Sequence, residues 1–252
     1  MATPYVTVGS GDHHVIVVHG WFGSARGWGL VPDFVDRETF TYVFMDLRGY
    51  GARKDVGGTF TTQEAATDAI ALADELGWDR FSLVGHSMGG KLVQHVLVDA
   101  PERVRMLVAI NPVPASGVPW DDQSWALFSG AAAQPANRAA IINFTTGSRL
   151  TPTFIDAVVK HSVENSTVEA FGAYLPSWGK ADFSAQVKGN PAAVKVIVGE
   201  HDPALGAELM QQTWLQHYPN AEMTVLANAG HYPMFETPVA LVTATEEFLR
   251  RG

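Results

Sequence analysis

Phe81-Ser82-Leu83-Val84-Gly85-His86-Ser87-Met88-Gly89-Gly90 is the stretch that decides the fold. Its first four residues form an apolar run of strand character, and residues 90–100 read as a helix. Between them stands a G-x-S-x-G pentapeptide centred on Ser87. A serine on so tight a strand-to-helix turn is driven into a strained backbone geometry, with its hydroxyl exposed above the sheet edge. Glycines two residues to either side keep side chains out of the neighbouring strand and helix. The five letters recur by chance in many chains. The flanking strand and helix give them meaning, and favour a nucleophile over a serine that merely caps a helix behind a glycine-rich turn.

Outward from this stretch the chain repeats one rhythm. Apolar, β-branched runs at residues 15–18, 41–45, 81–84, 104–110, 194–198 and 223–226 read as strands, with residues 5–8 as an outer one. They are nearly continuous in hydrophobicity rather than alternating, which marks strands covered on both faces. Helical spacing recurs at residues 62–76, 90–98, 204–217 and 238–250, with Gly77 as a stop signal after the first. Strands alternating with helices predict an α/β protein with a mostly parallel, doubly wound sheet and right-handed crossovers. The rhythm breaks between Pro112 and Pro191. Helix-like pieces at residues 123–133, 135–144, 152–161 and 167–175, rich in aromatic side chains, replace the core strands there. Residues 1–111 and 192–252 are therefore expected to form the core. Residues 112–191 are expected to form an inserted helical lid or cap, emerging from a strand end where α/β folds place their ligands.

The chain has 252 residues, 46% hydrophobic and 17% charged, which suits one large domain or one core with an inserted subdomain and argues against wholesale disorder. A formal net charge of −9 disfavours nucleic acid and anionic membranes as partners and says little about a small neutral substrate. With no cysteine there are no disulfides, no thiol catalysis and no cysteine metal sites. Residues 1–12 lack the basic-then-apolar pattern of a signal peptide, and no stretch reaches the ~18 apolar residues of a membrane span, so a cytoplasmic protein is the expectation. His13-His14 reads as a solvated pair rather than a ligand set, and no metal is expected. Composition leaves the oligomeric state open.

A serine hydroxyl needs a base to take its proton, and the base needs an acid to orient it. Among nine histidines, His231 in Ala229-Gly230-His231-Tyr232-Pro233 follows the last strand by a few residues and precedes the final helix. That places it on a loop at the same sheet edge as Ser87. The acid is expected beyond another strand. Residues 194–198 run into Gly199-Glu200-His201-Asp202-Pro203, and Asp202 sits on the turn. Its other reading is a cap on the following helix, and Glu200 is its nearest competitor. Asn111, after the strand at 104–110, occupies a second position of this kind but cannot carry the charge that stabilises an imidazolium. The catalytic set is thus Ser87, Asp202 and His231. An oxyanion needs two donors aimed at one point. The Met88 amide opens the helix behind the nucleophile, and the Trp21 amide lies in His19-Gly20-Trp21-Phe22-Gly23, with Phe22 in reserve. His19 and His86 read as supporting residues. Trp21, Phe22, Trp28, Met88 and Tyr232 are expected to line a substrate pocket, with Trp125, Phe128, Phe144, Tyr174 and Trp178 from the insertion.

With these residues in place, the chain resembles the α/β-hydrolase superfamily. The matching pieces are His19-Gly20, Asp46-Leu47-Arg48-Gly49-Tyr50-Gly51, residues 85–90, residues 199–202, and Gly230-His231-Tyr232-Pro233 with Glu236 and Pro238. They span nearly the whole chain in the order serine, acid, histidine. The resemblance implies the α/β-hydrolase fold and a Ser-His-Asp triad, but no particular substrate, because one fold hosts many reactions. Ala52-Arg53-Lys54 departs from the Ser-type residues with which many relatives continue their matching segment. Haloalkane dehalogenases and epoxide hydrolases carry an aspartate where this chain has Ser87. Carbon–carbon bond hydrolases usually carry Asn in place of His86, and a Ser-Gly-Pro-Gly-like loop in place of Trp21-Phe22-Gly23-Ser24.

Carboxylesterases and lactonases are closer. They imply hydrolysis of a small carboxylic ester or lactone through an acyl-enzyme, with no cofactor. Three readings compete: carbon–carbon cleavage of a ring-cleavage product, cofactor-free perhydrolysis, and a ligand receptor built on a hydrolase fold. The competent residue at every triad position opposes the last of these.

Overall fold

The central apolar runs become strands because their side chains find cover on both faces, whereas the two edge runs, at Tyr5–Gly9 and Ala221–Leu226, are only partly covered. A computed structural model describes residues 3–252; Met1 and Ala2, which begin the expected core segment, lie outside the described residues. The strands are β1 (Tyr5–Gly9), β2 (His13–Val18), β3 (Phe40–Met45), β4 (Phe81–His86), β5 (Val104–Ile110), β6 (Val194–Gly199) and β7 (Ala221–Leu226). They form one sheet in the order β1-β3-β2-β4-β5-β6-β7, with β1 antiparallel to β3 and every other pair parallel. The fold is that of an α/β hydrolase. Val15, Ile16, Leu83, Leu107, Val108 and Ile197 in the central strands are all fully buried. Burial of such a side chain contributes about 1.5–3 kcal/mol, so the centre of the sheet is the centre of the core.

The helices are α1 (Val31–Phe34), α2 (Thr62–Glu75), α3 (Met88–Asp99), α4 (Asp122–Gly130), α5 (Pro135–Thr145), α6 (Pro152–Glu164), α7 (Val168–Gly179), α8 (Ser184–Val187), α9 (Ala207–Gln212), α10 (Trp214–His217), α11 (Pro233–Glu236) and α12 (Pro238–Leu249). Local chemistry sets the ends of α2: Thr61 Oγ1 accepts the Glu64 amide at 3.1 Å, and Gly77 follows at φ +69°. α2 packs on α3, and α3 on the sheet; α1 packs on α12, which lies against β6 and β7.

One expected helix is two. Helical spacing at residues 204–217 predicts a single helix, but α9 begins only at Ala207, and the chain breaks at Thr213 (φ −123°, ψ −82°) before α10. The late start follows from Asp202, whose Oδ1 takes the Ala204 and Leu205 amides at 2.9 and 3.1 Å and so holds a turn ahead of the helix. At the break, Thr213 Oγ1 donates back to the Leu209 carbonyl at 2.7 Å. The periodicity missed the short helices α1, α8 and α11.

Helices α4–α8 lie between β5 and β6 and pack mainly on one another, α5 on α6 and α4 on both α5 and α7. Fixed contacts join them to the core. Lys91 Nζ, on α3, donates to the carbonyls of Trp178 and Ala181. The Trp21 ring stacks on Phe171 at 4.0 Å, and the Trp21 indole N–H donates to the Phe171 carbonyl at 2.7 Å. Among the described residues no helix is long and apolar enough to cross a membrane.

The carboxyl ends of the parallel strands share one edge, and close packing there leaves no room for side chains at key glycines. A Cβ on Gly199 would lie 2.0 Å from the Gly230 carbonyl oxygen, one residue before His231. Gly199→Ala is therefore expected to destabilise the protein by about 1–3 kcal/mol, because backbone and not a flexible side chain must give way. Urea unfolding measures it; an unchanged midpoint would contradict this packing.

Candidate active site

Ser87 occupies the turn between β4 and α3 at φ 55°, ψ −116°, outside the regions that ordinary residues adopt. Such a conformation costs of order 1–3 kcal/mol and survives only where its surroundings fix it. Here they do. The Ser87 amide donates to the Ile110 carbonyl at 2.9 Å, and its own carbonyl accepts from Gly90 (2.9 Å) and Val113 (3.0 Å). Gly89 supplies the close approach: a Cβ there would lie 2.5 Å from the Val18 carbonyl oxygen. The loop after β2 passes so near that a Cβ on Gly20 would sit 3.0 Å from Ser87 Cβ.

His231, on the loop after β7, brings Nε2 to 3.0 Å from Ser87 Oγ and Nδ1 to 2.6 Å from Asp202 Oδ2. A hydrogen on Nδ1 that donates to the carboxylate leaves Nε2 bare to accept from the serine hydroxyl. The loop is held from several sides. The His231 amide donates to the carbonyl of Thr145, the last residue of α5, at 3.2 Å. The His231 carbonyl accepts from His86 Nε2 at 2.8 Å. Glu236 accepts the Gly230 and Tyr232 amides at 2.8 and 3.1 Å, and is itself paired with Arg149 at 2.8 Å. Burial, with His231 close by, pushes the His86 imidazole down to about 3, so this ring is neutral and serves as a fixed donor.

Asp202 lies on the turn after β6, and its side chain is wholly buried. Burial opposes its ionisation, but the His231 ring and the hydrogen bonds from His231, Leu205 and Ala204 outweigh it and hold the carboxyl below its ordinary range. Asp202 is not the cap of the following helix: the N-cap of α9 is Gly206, and Asp202 Oδ1 closes a turn ahead of it by accepting the Ala204 and Leu205 amides. Oδ2 accepts from His231 and from Asn111 Nδ2 at 2.8 Å. Asn111 is thus a donor to the acid. Its sequence position gave the signal, but only the structure supplies the partner. The competitor Glu200 instead accepts the Asn228 amide at 3.1 Å and lies 3.5 Å from His201.

His19 is bound structurally: Nδ1 donates to the Gly20 carbonyl at 2.8 Å and Nε2 accepts the Leu47 amide at 3.2 Å. The Trp21 and Met88 amides donate to no backbone acceptor among the described residues. The His13-His14 pair, expected to be solvated, is not: His13 is buried and bonds to Ser82 Oγ at 2.7 Å, and the partly buried His14 stacks on Trp78 at 4.3 Å.

Two chambers meet at Ser87, of about 300 and 350 Å³. Trp21, Phe22, Ser87, His231 and Tyr232 border both. The first lies between the loop after β2, α6 and α11, and adds Trp28, Phe154, Arg26 and His161. The second lies under the inserted helices and adds Trp120, Phe128, Phe144 and Trp178.

Three pocket expectations are corrected. Trp125 borders neither chamber, and Lys180 Nζ lies 3.4 Å over its ring. Tyr174 is fully buried between Tyr50 and Phe60. The Met88 side chain is fully buried within the core, so only its backbone remains relevant to the site. In each case the periodicity marked a buried or aromatic face without saying which neighbour covers it. Arg26, His161 and Phe154 were missed because no local pattern brings α6 against the loop after β2, and Trp120 because it stands ahead of α4, outside any helical period.

Loss of the Asn111 amide leaves Asp202 one donor short. Asn111→Ala is expected to destabilise by about 1–3 kcal/mol in urea unfolding. Asn111→Gly, which tolerates the φ of +40° found here, should recover the backbone share alone. A second expectation concerns acid. Burial lowers His86 to about 3, and His13 and His95 to about 4 each, below the ordinary 6.5. Folded pKa values below unfolded ones give stability that is present above pH 6.5 and is lost as pH falls toward those values. Each ring contributes a slope of up to about 1.4 kcal/mol per pH unit. The urea midpoint should therefore drop from about pH 6.5 downward; a flat profile to about pH 5 would contradict neutral burial of these rings.

A sequence model described as the alpha/beta hydrolase family matches residues 15–245. The 3-oxoadipate enol-lactonase 2 of Acinetobacter baylyi is 24% identical over 253 residues, 100% of this chain and 94% of its own. Esterase YbfF of Escherichia coli is 26% identical over 255 residues, 93% of this chain and 92% of its own. Among solved structures, an esterase from Exiguobacterium antarcticum shares the fold with a TM-score of 0.87, at 16% identity, over 98% of this chain and 94% of its own. With its fold, the order of its matching segments and this family match, the chain belongs to the α/β-hydrolase family.

Proposed function

We propose that the protein hydrolyses a small carboxylic ester or lactone through an acyl-enzyme formed on Ser87. The observation that carries this reading is the unbroken line of contacts from Asp202 Oδ2 to His231 Nδ1, and from His231 Nε2 to Ser87 Oγ. Ser87 Oγ attacks the ester carbonyl as its proton passes to His231 Nε2. The new O–C bond forms while the carbonyl electrons move to its oxygen. The Trp21 and Met88 amides, free of backbone acceptors, receive that oxyanion. His231 then returns the proton to the departing alkoxide, and the C–O bond breaks. Water repeats the sequence: His231 takes its proton, the acyl group leaves Ser87, and the acid is released. Asp202 holds the ring in its tautomer and offsets the imidazolium charge. Esterase and enol-lactonase relatives support the reaction class.

Residues 112–191 act in this reading as a lid. They give the second chamber its apolar wall through Trp120, Phe128, Phe144 and Trp178, and so exclude water from the acyl group. Ser87→Ala should lower p-nitrophenyl acetate turnover by at least about a thousandfold, with the fold intact by circular dichroism. A serine-directed fluorophosphonate should label the wild type only. Full turnover in Ser87→Ala would sink the proposal.

A further inference from the structure

We infer that the first chamber is a subsite for a carboxylate carried by the substrate, with Arg26 as its cationic anchor. The inference rests on the esterase reading above and narrows its substrates to half-esters, or lactones, that bear a free acid group.

The chain carries 26 acidic against 17 basic Lys and Arg residues, so most guanidinium groups find a carboxylate. Arg48, Arg53, Arg103, Arg149, Arg250 and Arg251 all do. Arg26 does not: among the described residues its guanidinium has neither an ion pair nor a hydrogen bond. Yet it borders the chamber that opens onto Ser87. No Asp or Glu borders that chamber; its other titratable residues are four histidines and Tyr232. The second chamber has no Asp, Glu, Lys or Arg on its border. A substrate spanning the serine thus meets an apolar space on one side and an unpaired cation on the other.

The backbone under Arg26 is fixed while its side chain is free. The Ala25 amide donates to Asp46 Oδ1 at 2.7 Å, the Arg26 amide to Ser24 Oγ at 3.3 Å, and the Gly27 amide to the Ser24 carbonyl at 3.0 Å. His161 comes in from α6 and meets Ser24 Oγ at 3.0 Å. Gly27 makes that approach feasible, since a Cβ there would lie 2.8 Å from His161 Nε2. Burial lowers the His161 imidazole, against the pull of Asp46 and Glu164, so that ring forms a neutral polar wall. The Asp46 carboxylate behind the loop is already engaged by the Ala25 and Ala52 amides. The anion therefore answers to Arg26, whose planar fork suits a carboxylate. An exposed pair contributes little, but a substrate that fills the chamber shields this one from water.

The test is a ratio of kcat/KM values. Monoethyl succinate, glutarate and adipate are compared with ethyl butyrate, valerate and hexanoate. Butyryl esters of hydroxy acids against those of simple alcohols form a second series, for an anion on the alcohol side. In at least one series the charged member should be favoured by about tenfold, and added salt should reduce the preference. Arg26→Gln should abolish that preference, whereas Arg80→Gln, at an exposed arginine away from the chamber, should keep it. No preference in either series, or one that survives Arg26→Gln, overturns the inference. Failure of the underlying reading looks different: neutral and charged esters alike would still be cleaved by Ser87→Ala.

Discussion

The buried Asp202 carboxylate is the constraint on which the rest of the site depends. A charge with no exposed side chain is tolerated only when its lone pairs are occupied. Four donors occupy them: two amides of its own turn, the Asn111 amide at the end of β5, and the His231 ring from the loop after β7. The strand order β5-β6-β7 makes the three strand ends neighbours, and the parallel registers bring them level. One ion thus draws three strand ends to a point. Substitution of any donor is felt by all.

Around that ion the chain keeps its other titratable rings neutral. His19 and His86 are buried, and each is committed to backbone partners. A neutral ring donates from one nitrogen without adding charge beside Asp202 or His231. The strain at Ser87 is balanced in the same way, by hydrogen bonds to Ile110, Gly90 and Val113 and by glycines that admit close neighbours. Strain, burial and neutral donors together hold one hydroxyl beside one imidazole.

Much of this was legible in the chain. The central strands were readable because near-continuous apolar runs have few alternatives in a chain of this length. Ser87, Asp202 and His231 were readable because each follows a recognisable strand by a few residues. Burial and partner choice were not. Tyr174 and Phe128 look alike in sequence, yet one packs under Tyr50 and the other borders a chamber. The helix at 204–217 failed because a side chain, Asp202, competed for the amides that helical periodicity had assigned to the backbone. Arg26 and His161 stand far apart in sequence, and only the packing of α6 against the loop after β2 makes them neighbours.

The bond from the His231 amide to the Thr145 carbonyl ties helices α4–α8 to the histidine beside Ser87. Thr145 ends α5, where helical carbonyls are left without partners of their own. A Cβ on Gly230 would press within 2.8 Å of Thr146 Cα, so the two segments are also in direct backbone contact. Residues 112–191 are therefore no interchangeable module. Grafting this segment from a homologue would transplant part of the histidine's scaffold along with the new pocket wall, and chimaeras joined at 112 and 191 must preserve where that helix stops.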